Sequence, residues 1–411
     1  MRILIKLAWR NIRRNRRRTL ITAASITLGL AVILWLEGVL EARNRDMIET
    51  VTSGHLGHIQ VYSSAYASER SLLGTLDRIP DALTHRLPAG SHLSTRVILP
   101  ALISRGPQSS QVVVVGVEPE GEAAVTELRE HLVEGEYLSP VHESAATPPI
   151  YLSRLLAQLL RAVVGQQVRL TALDRDGQPA NGTFEITGFY DSGSPAFDQS
   201  YAFAPLWAVQ QLASLRGFHE IVVRLPDGPE AEHVRDDLDG AVSDDIVVTT
   251  WRTALPELAT LITFNEALVA FVTSLMFIVV ALGVMNTMLM SVFERTREFG
   301  IMSALGTTPS QIVLLVILES LIVGVISAGL GLLLGTLAIM YHRHTGLDLH
   351  PFLGESSGVG EFRLDLVVHP ILPLLPFLRT IAGILFVVVG TALYPAIRAS
   401  RFLPVEAIRA P

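Results

Sequence analysis

Cysteine is missing altogether from this 411-residue chain, and lysine occurs once, at Lys6. The first absence excludes disulfides, so any part folded outside the cytosol must be held together by its own core. The second excludes a Walker A phosphate loop, whose lysine must sit inside GxxxxGK[ST]. If ATP drives this chain, the ATPase is another polypeptide. Charge is scarce as well: 17% of residues are charged against 49% hydrophobic, and mean hydropathy is +0.42. That balance is greasier than a soluble domain's and points to a membrane protein with a soluble part.

Four apolar runs are present: Leu20 to Leu40, Ala267 to Phe293, Ile312 to Met340 and Ile371 to Ile397. Each meets the roughly 20 residues a helix needs to cross a bilayer core of about 30 Å. The first follows "MRILIKLAWRNIRRNRRRT" but is longer than a signal peptide's apolar core, and no small-x-small cleavage site follows it. It is read as retained. Lys and Arg number 8 before the first run, 2 between the second and third, 2 between the third and fourth, and 3 after the fourth. By the positive-inside rule both termini and the link between the second and third runs are cytoplasmic. Residues 41–255 then lie outside, with 28 Asp and Glu against 16 Arg, a net charge of −12. Such acidity argues against nucleic acid as a partner.

The resulting division has a basic amphipathic helix at 1–19, with Ile3, Leu7, Ile12 and interfacial Trp9, lying on the inner membrane surface. A first transmembrane helix with its stalk covers 20–53 and a large α+β extracytoplasmic domain covers 54–255. A stalk and second transmembrane helix cover 256–293, a cytoplasmic link 294–310 and a third span 311–341. A short external loop covers 342–369, a fourth span 370–397 and a cytoplasmic tail 398–411. The fold class is therefore an α-helical membrane protein of four transmembrane helices with the α+β domain between the first and second. The stalks are read from Met47, Ile48 and Val51, which continue the first apolar stripe to a stop at Gly54, and from Pro256, which suits a helix start. From Pro256 to Phe293 a helix would run about 57 Å at 1.5 Å per residue, nearly twice the bilayer core.

Strands are predicted at "HIQVY", "QVVVVGV", "QVRLTAL", "TFEITGFY", "EIVVRL" and "DIVVTT". Helices are predicted near Leu72 to Leu87, Ala123 to Leu132, Leu152 to Val164 and Pro205 to Leu215. Turn-rich Gly135 to Pro149 marks a boundary between two lobes. In the link, Ile301, Ala304 and Leu305 recur at helical spacing, and Gly306-Thr307-Thr308-Pro309 ends one helix and starts the next. Four charges, Glu294, Arg295, Arg297 and Glu298, open this segment. It is too short for a domain and suits docking onto a soluble partner; a solvated loop is the alternative.

"NTMLMSVFERTREFGIMSALGTTPSQIV", "ESLIVGVISAGLGLLLG", "LAWRNIRRNRRRTLITAASITLGLAV" and "YPAIRASRFLPVEAIRAP" together resemble a permease family. It includes the MacB macrolide exporters, the FtsX cell-division proteins and the LolC/LolE lipoprotein-releasing permeases. The resemblance implies that the link is a coupling helix seated in a groove of an ABC ATPase, through Glu294, Arg295, Glu298, Gly300, Ala304 and Gly306. In the external domain "GHIQVYSSAYASERSL", "VVGVEPEGE", "VVGQQVRLTA" and "FEITGFYDSGSPAFDQSYAFAPLWAVQQL" look like the lipoprotein-releasing branch.

Elsewhere, Glu319 is an intramembrane carboxylate, read as structural or coupling rather than ion-conducting. Glu37 lies near the outer end of its span, within reach of water. Gly324, Ala328, Gly331 and Gly335, with Ser25 and Gly29 in the first span, suit close helix packing. His342, His344, His350 and His369 are read as loop histidines without a metal, and no catalytic site is found.

The resemblance implies the non-catalytic membrane subunit of an ABC transporter of the mechanotransmission type in the bacterial inner membrane. It would bind no cofactor itself; ATP and Mg belong to a cytoplasmic ATPase dimer. Its other partners would be a second permease copy or paralogue, membrane lipids, and a periplasmic lipoprotein carrier or adaptor. Lipoprotein extraction is the expected activity. Ile33, Leu36, Leu40, Leu261, Phe264, Leu268 and Phe271 are the candidate lateral entrance, with lipid-facing filler as the plain alternative. MacB-like efflux of peptides or small amphiphiles is one competing function, and FtsX-like regulation of a cell-wall hydrolase is another.

Overall fold

A computed structural model of the chain describes residues 2–14, 16–69, 71–139, 147–226, 228, 231–353, 358–359, 362–363 and 367–401. Contacts divide it into two compact units. One is Met1–Asn44, Ile262–Phe352 and Leu366–Pro411; the other is Arg45–Leu261 and Leu353–Asp365.

The first unit is helical because its sequence offers long apolar runs with few breakers. Its four candidate spans are Thr19–Leu56, Pro256–Glu294, Pro309–Thr345 and Leu374–Ser400. The first is the helix Arg16–Val51 continued by a single π-turn at Thr52–Leu56. Gly54, expected as the stop, lies inside that turn; Gly57, at φ +62°, ends it. A side chain there would also collide with Val222, so glycine is required twice over. Within the unit the long helices pack around Ile26, Leu30, Leu34, Val280, Val284, Ala328, Ile384 and Val388. Gly331 and Gly335 lie against the first long helix, where an added Cβ would come within 3.0 Å of Thr27 O and 3.2 Å of Ala31 O. Gly324 faces Val388 of the fourth helix, Gly29 faces Met276 of the second, and Ala328 is buried among them. Ser25 departs from the expected packing role: it is exposed, its hydroxyl donating to Ile21 O, while Thr22, Ile26 and Gly29 take the inner face.

The second unit is built on one ten-stranded sheet. Its strands are β1 (Ile59–Ser63), β2 (His92–Arg105), β3 (Gln108–Val117), β4 (Leu132–Gly135), β5 (Pro149–Ser153), β6 (Gln167–Leu173), β7 (Pro179–Tyr190), β8 (Tyr201–Pro205), β9 (Glu220–Arg224) and β10 (Ile246–Thr250). Its path is β10-β1-β9-β2-β3-β8-β5-β7-β4, with β6 bridging β2 and β7. Pairing therefore closes a ring of β2, β3, β8, β5, β7 and β6. The long β2 belongs to both parts, since His92–Arg96 pair with β9 while Ala101–Ser104 pair with β6. This shared strand, with one core running from Val61 through Leu99 and Val114 to Phe184 and Val223, replaces the expected lobe boundary at 135–149. Residues 140–146 of that stretch lie outside the described residues.

Candidate functional site

The link folds as a short helix, Thr296–Ala304, between the second and third long helices. Its start is set by Arg295, whose backbone (φ −108°, ψ 13°) breaks the helix arriving from Glu294. Gly306 at φ +95° ends it, in the left-handed region that glycine adopts freely. Thr308 then starts the third long helix with a reciprocal capping box to Gln311, and Pro309 occupies the first turn. The turn residues thus fix a helix–break–helix geometry from local chemistry alone.

The charged residues do not all face outward. Arg295 is 5% exposed, and its Nη1 donates to both carboxylate oxygens of Glu319, each at 2.9 Å. Asn11 Nδ2 from the N-terminal helix (Arg2–Arg14) donates to Glu319 Oε1 at 2.6 Å. Arg295 Nε reaches Glu298 at 3.0 Å, and Arg14 Nη2 reaches the other Glu298 oxygen at 2.6 Å. Burial pushes the Glu298 carboxyl up, but Arg295 and Arg14 outweigh it and hold it below the usual range. The Arg295 guanidinium also lies 5.0 Å from the Phe299 ring centroid. Around this network Ala8, Val292, Phe299, Ile312, Leu315 and Val316 form a separate apolar core. A cavity of about 30 Å³, lined by Asn11, Arg295, Glu319 and Thr287 among others, adjoins the pair. Such a space holds one ordered water or two.

The other face of the link is open. Glu294, Arg297, Ile301, Ala304, Leu305 and Gly306 are exposed, Leu305 at 83%. Gly300 is buried beside Phe299. Of the six residues assigned to docking, Glu294, Ala304 and Gly306 are therefore accessible. Arg295 and Gly300 are turned into the protein, and Glu298 is engaged by two arginines. Ile301 and Leu305 were legible at their helical spacing. The inward turn of Arg295 was not, because its partner Glu319 lies 24 positions away and the Asn11 that shares this carboxylate lies at the other end of the chain.

Among the entrance candidates, Phe264, Leu268 and Phe271 are exposed at 63%, 42% and 66%, while Leu36, Leu40 and Leu261 are half-buried. Ile33 does not belong with them: at 1% exposure it is packed inside, as Leu30 and Leu34 of the same helix are. Glu37 is also buried rather than within reach of water. Its Oε1 accepts from Thr380 Oγ1 at 2.6 Å, and its Oε2 has no partner among the described residues. Beside it Ile371 closes over the backbone of Gly38, which has no side chain to hold it off.

Sequence reasoning missed a second buried ionic cluster. Arg96 of β2 is wholly buried; it donates to Glu122 at 3.0 and 2.6 Å, to Glu220 at 3.3 Å and to His55 O at 2.7 Å. Burial alone would lower the guanidinium pKa, but Glu122 and Glu220 outweigh it and raise it, so Arg96 stays charged. Through His55 O the π-turn ending the first long helix is tied to β2, and through Ser53 O it is tied to the Glu127 N–H in the turn before β4. Among the described residues no group of three His, Asp or Glu suits a metal. His342 meets Trp35 and His350 meets Asp348 instead.

Residues 19–241 match the family described as MacB-like periplasmic core domain, and residues 270–404 match the FtsX-like permease C-terminal family. A macrolide export ATP-binding/permease protein MacB from Hahella chejuensis is 23% identical over 80% of this chain and 51% of its own length. The ABC transporter permease YtrF of Bacillus subtilis is 33% identical over 25% of this chain and 24% of its own. The chain thus spans about half or less of the length of these relatives. The extracellular domain of the transporter YknZ, known from a crystal structure, aligns with 47% of this chain and 99% of its own, at 12% identity and a TM-score of 0.33.

Proposed function

Since the chain belongs to the family of the MacB-like periplasmic core domain, which matches more than half of it, we propose that it is the membrane subunit of an ABC transporter driven by a separate ATPase chain. The observation that carries this reading is the two-faced link. One face is locked by Arg295, Glu298, Asn11 and Glu319; the other offers Arg297, Ile301, Ala304 and Leu305 to a partner. A rigid attachment behind an open apolar surface is what force transfer from a nucleotide-driven partner requires. ATP and Mg would sit on that partner, since Lys6 cannot serve a phosphate loop.

Movement of the link would pass to the third long helix through Arg295 and Glu319, and to the N-terminal helix through Arg14 and Asn11. The first and second long helices carry it further, because each runs unbroken across the division between the two units. The Arg96 cluster then fixes the end of the first helix to the external sheet, so that a shift of the helix becomes a shift of the domain.

The relatives named as macrolide export proteins support an efflux reading, for which peptides or small amphiphiles are the cargo proposed here. Lipoprotein extraction is the second reading, favoured by exposed Phe264, Leu268 and Phe271. The test is co-purification with the ATPase encoded nearest to it. The native pair should hydrolyse ATP in proteoliposomes and carry an amphiphile detectable by mass spectrometry. Leu305→Asp should lose the ATPase without losing the folded permease. A Leu305→Asp chain that still assembles and hydrolyses normally would overturn the reading.

A further inference from the structure

Within the helical unit, Glu37 of the first long helix meets Thr380 of the fourth, and both side chains are buried, at 9% and 6% exposure. Thr380 Oγ1 donates to Glu37 Oε1 at 2.6 Å, while Oε2 is enclosed with no partner among the described residues. The surroundings are apolar. One turn before Glu37 come Ile33 and Leu34, and Thr380 is flanked along its helix by Phe377 and Ile384, none of them more than 5% exposed. The adjoining backbone carbonyl, Gly38 O, already accepts from the Ile371 N–H.

No cation answers this carboxyl among the described residues. On its own helix the next titratable group along the same face is Glu41, one turn on, whose like charge would oppose a second one. Arg43, six residues on, lies about 120° round the helix. The second long helix has no ionisable side chain between Glu266 and Glu294. On the third, His342 is engaged with Trp35 and with Ala338 O, and Arg343 and His344 are exposed. Asp348 pairs with His350 in the loop that follows, and His369 is exposed. On the fourth, Arg379 next to Thr380 is exposed as well.

An ionised carboxylate enclosed in this way, with one hydrogen bond and no counter-charge, is the costliest state the site allows. The neutral acid leaves at worst one O–H without an acceptor, a far smaller penalty. A metal ion would need a shell of about six oxygens, and the side chains here supply the carboxyl and one hydroxyl. We infer that Glu37 is a proton-binding site: while the first and fourth long helices are closed it is held as the neutral acid, its proton on Oε2 and its carbonyl Oε1 accepting from Thr380. Parting of the two helices lets water reach the carboxyl, which then gives up its proton; closing takes one up again. The contact between these helices is thereby tied to pH, independently of any ATPase or cargo.

Infrared absorption of the purified full chain in detergent tests this directly. A neutral carboxyl absorbs as a C=O stretch above the amide I band and shifts in heavy water. The wild type at neutral pH should show such a band, and Glu37→Gln should remove it. Thr380→Val, which takes away the hydroxyl that donates to Oε1, should move the band to higher frequency. That shift identifies the band even where Glu37→Gln does not accumulate as folded protein. Absence of the band from the folded wild type, or a band that neither substitution alters, overturns the site. So does a band that disappears when sodium is raised at constant pH, which would make the ligand a metal ion. Thermal unfolding reads the same proton: the folded chain keeps one that the unfolded chain releases, so stability falls as pH rises. From about pH 6 to about pH 9 the melting temperature of the wild type should therefore drop relative to that of Glu37→Gln, and parallel curves would also overturn the site.

Discussion

Among the described residues two arginines are wholly or nearly buried, and each sits where one element is joined to another. Arg295 joins the link to the third long helix, and Arg96 joins the π-turn to the sheet. Breaking one partner of such a pair leaves an uncompensated buried charge, typically a loss of about 3–5 kcal/mol. Arg96→Met should therefore strand Glu122 and Glu220 and lower the melting temperature of the full chain by several degrees. Arg96→Lys should rescue little, because an ammonium cannot reproduce the fork that reaches Glu122 twice. Thermal unfolding in detergent measures both.

Histidines set a pH dependence at the same scale. His58 Nδ1 accepts from Leu225 N at 2.9 Å, and burial, helped by Arg224, lowers its pKa from 6.5 to about 4. His219 Nδ1 likewise accepts from Ile98 N, and burial lowers its pKa too. Between pH 6.5 and about 4 the unfolded chain takes up a proton that folded His58 refuses. Stability is thus full above about pH 6.5 and declines as pH falls through that window. Melting of the external domain followed from about pH 7.5 to about 4.5 should show this decline, and His58→Gln should flatten part of it.

At the scale of elements, the sequence was most readable where periodicity was strong and local. The predicted strands at "QVRLTAL", "EIVVRL" and "DIVVTT" fall on β6, β9 and β10 within a residue or so. The longest strand, β2, was missed. Its Pro100 reads as a strand breaker, yet it falls where β2 has left β9 at Arg96 and not yet met β6 at Ala101. On that edge no ladder bond is available to lose. β5 and β8 were missed because each is a five-residue strand beside turns and helices, with pairing to distant strands. The predicted helix over Leu72 to Leu87 shrinks to Asp81–Arg86, after Pro80. Helix contacts give a prediction of their own. Gly331→Val should push the first and third long helices apart, since a Cβ there already meets Leu30 and Thr27 O at 3.0 Å. Reduced yield of folded protein in membranes would register it, whereas Gly329→Ala, with nothing within 4 Å, should be tolerated.

For the whole molecule, the four membrane-length helices and the α/β domain between the first two were legible in hydropathy and strand patterning, because a bilayer imposes a length rule that needs no tertiary knowledge. The candidate site was legible only by half. Spacing marked Ile301, Ala304 and Leu305, but which charges turn inward depends on Asn11, Arg14 and Glu319, brought together only by folding. The central claim is that the open face of the link lies in the cytosol against an ATPase. It is tested most directly with the single-cysteine variant Leu305→Cys in native membranes, treated with a short bifunctional thiol-and-amine cross-linker. The expected result is one cross-linked partner that binds nucleotide, and no reaction of the introduced thiol with a membrane-impermeant reagent applied to intact cells. Labelling of that thiol from outside, with no nucleotide-binding partner captured, would contradict it.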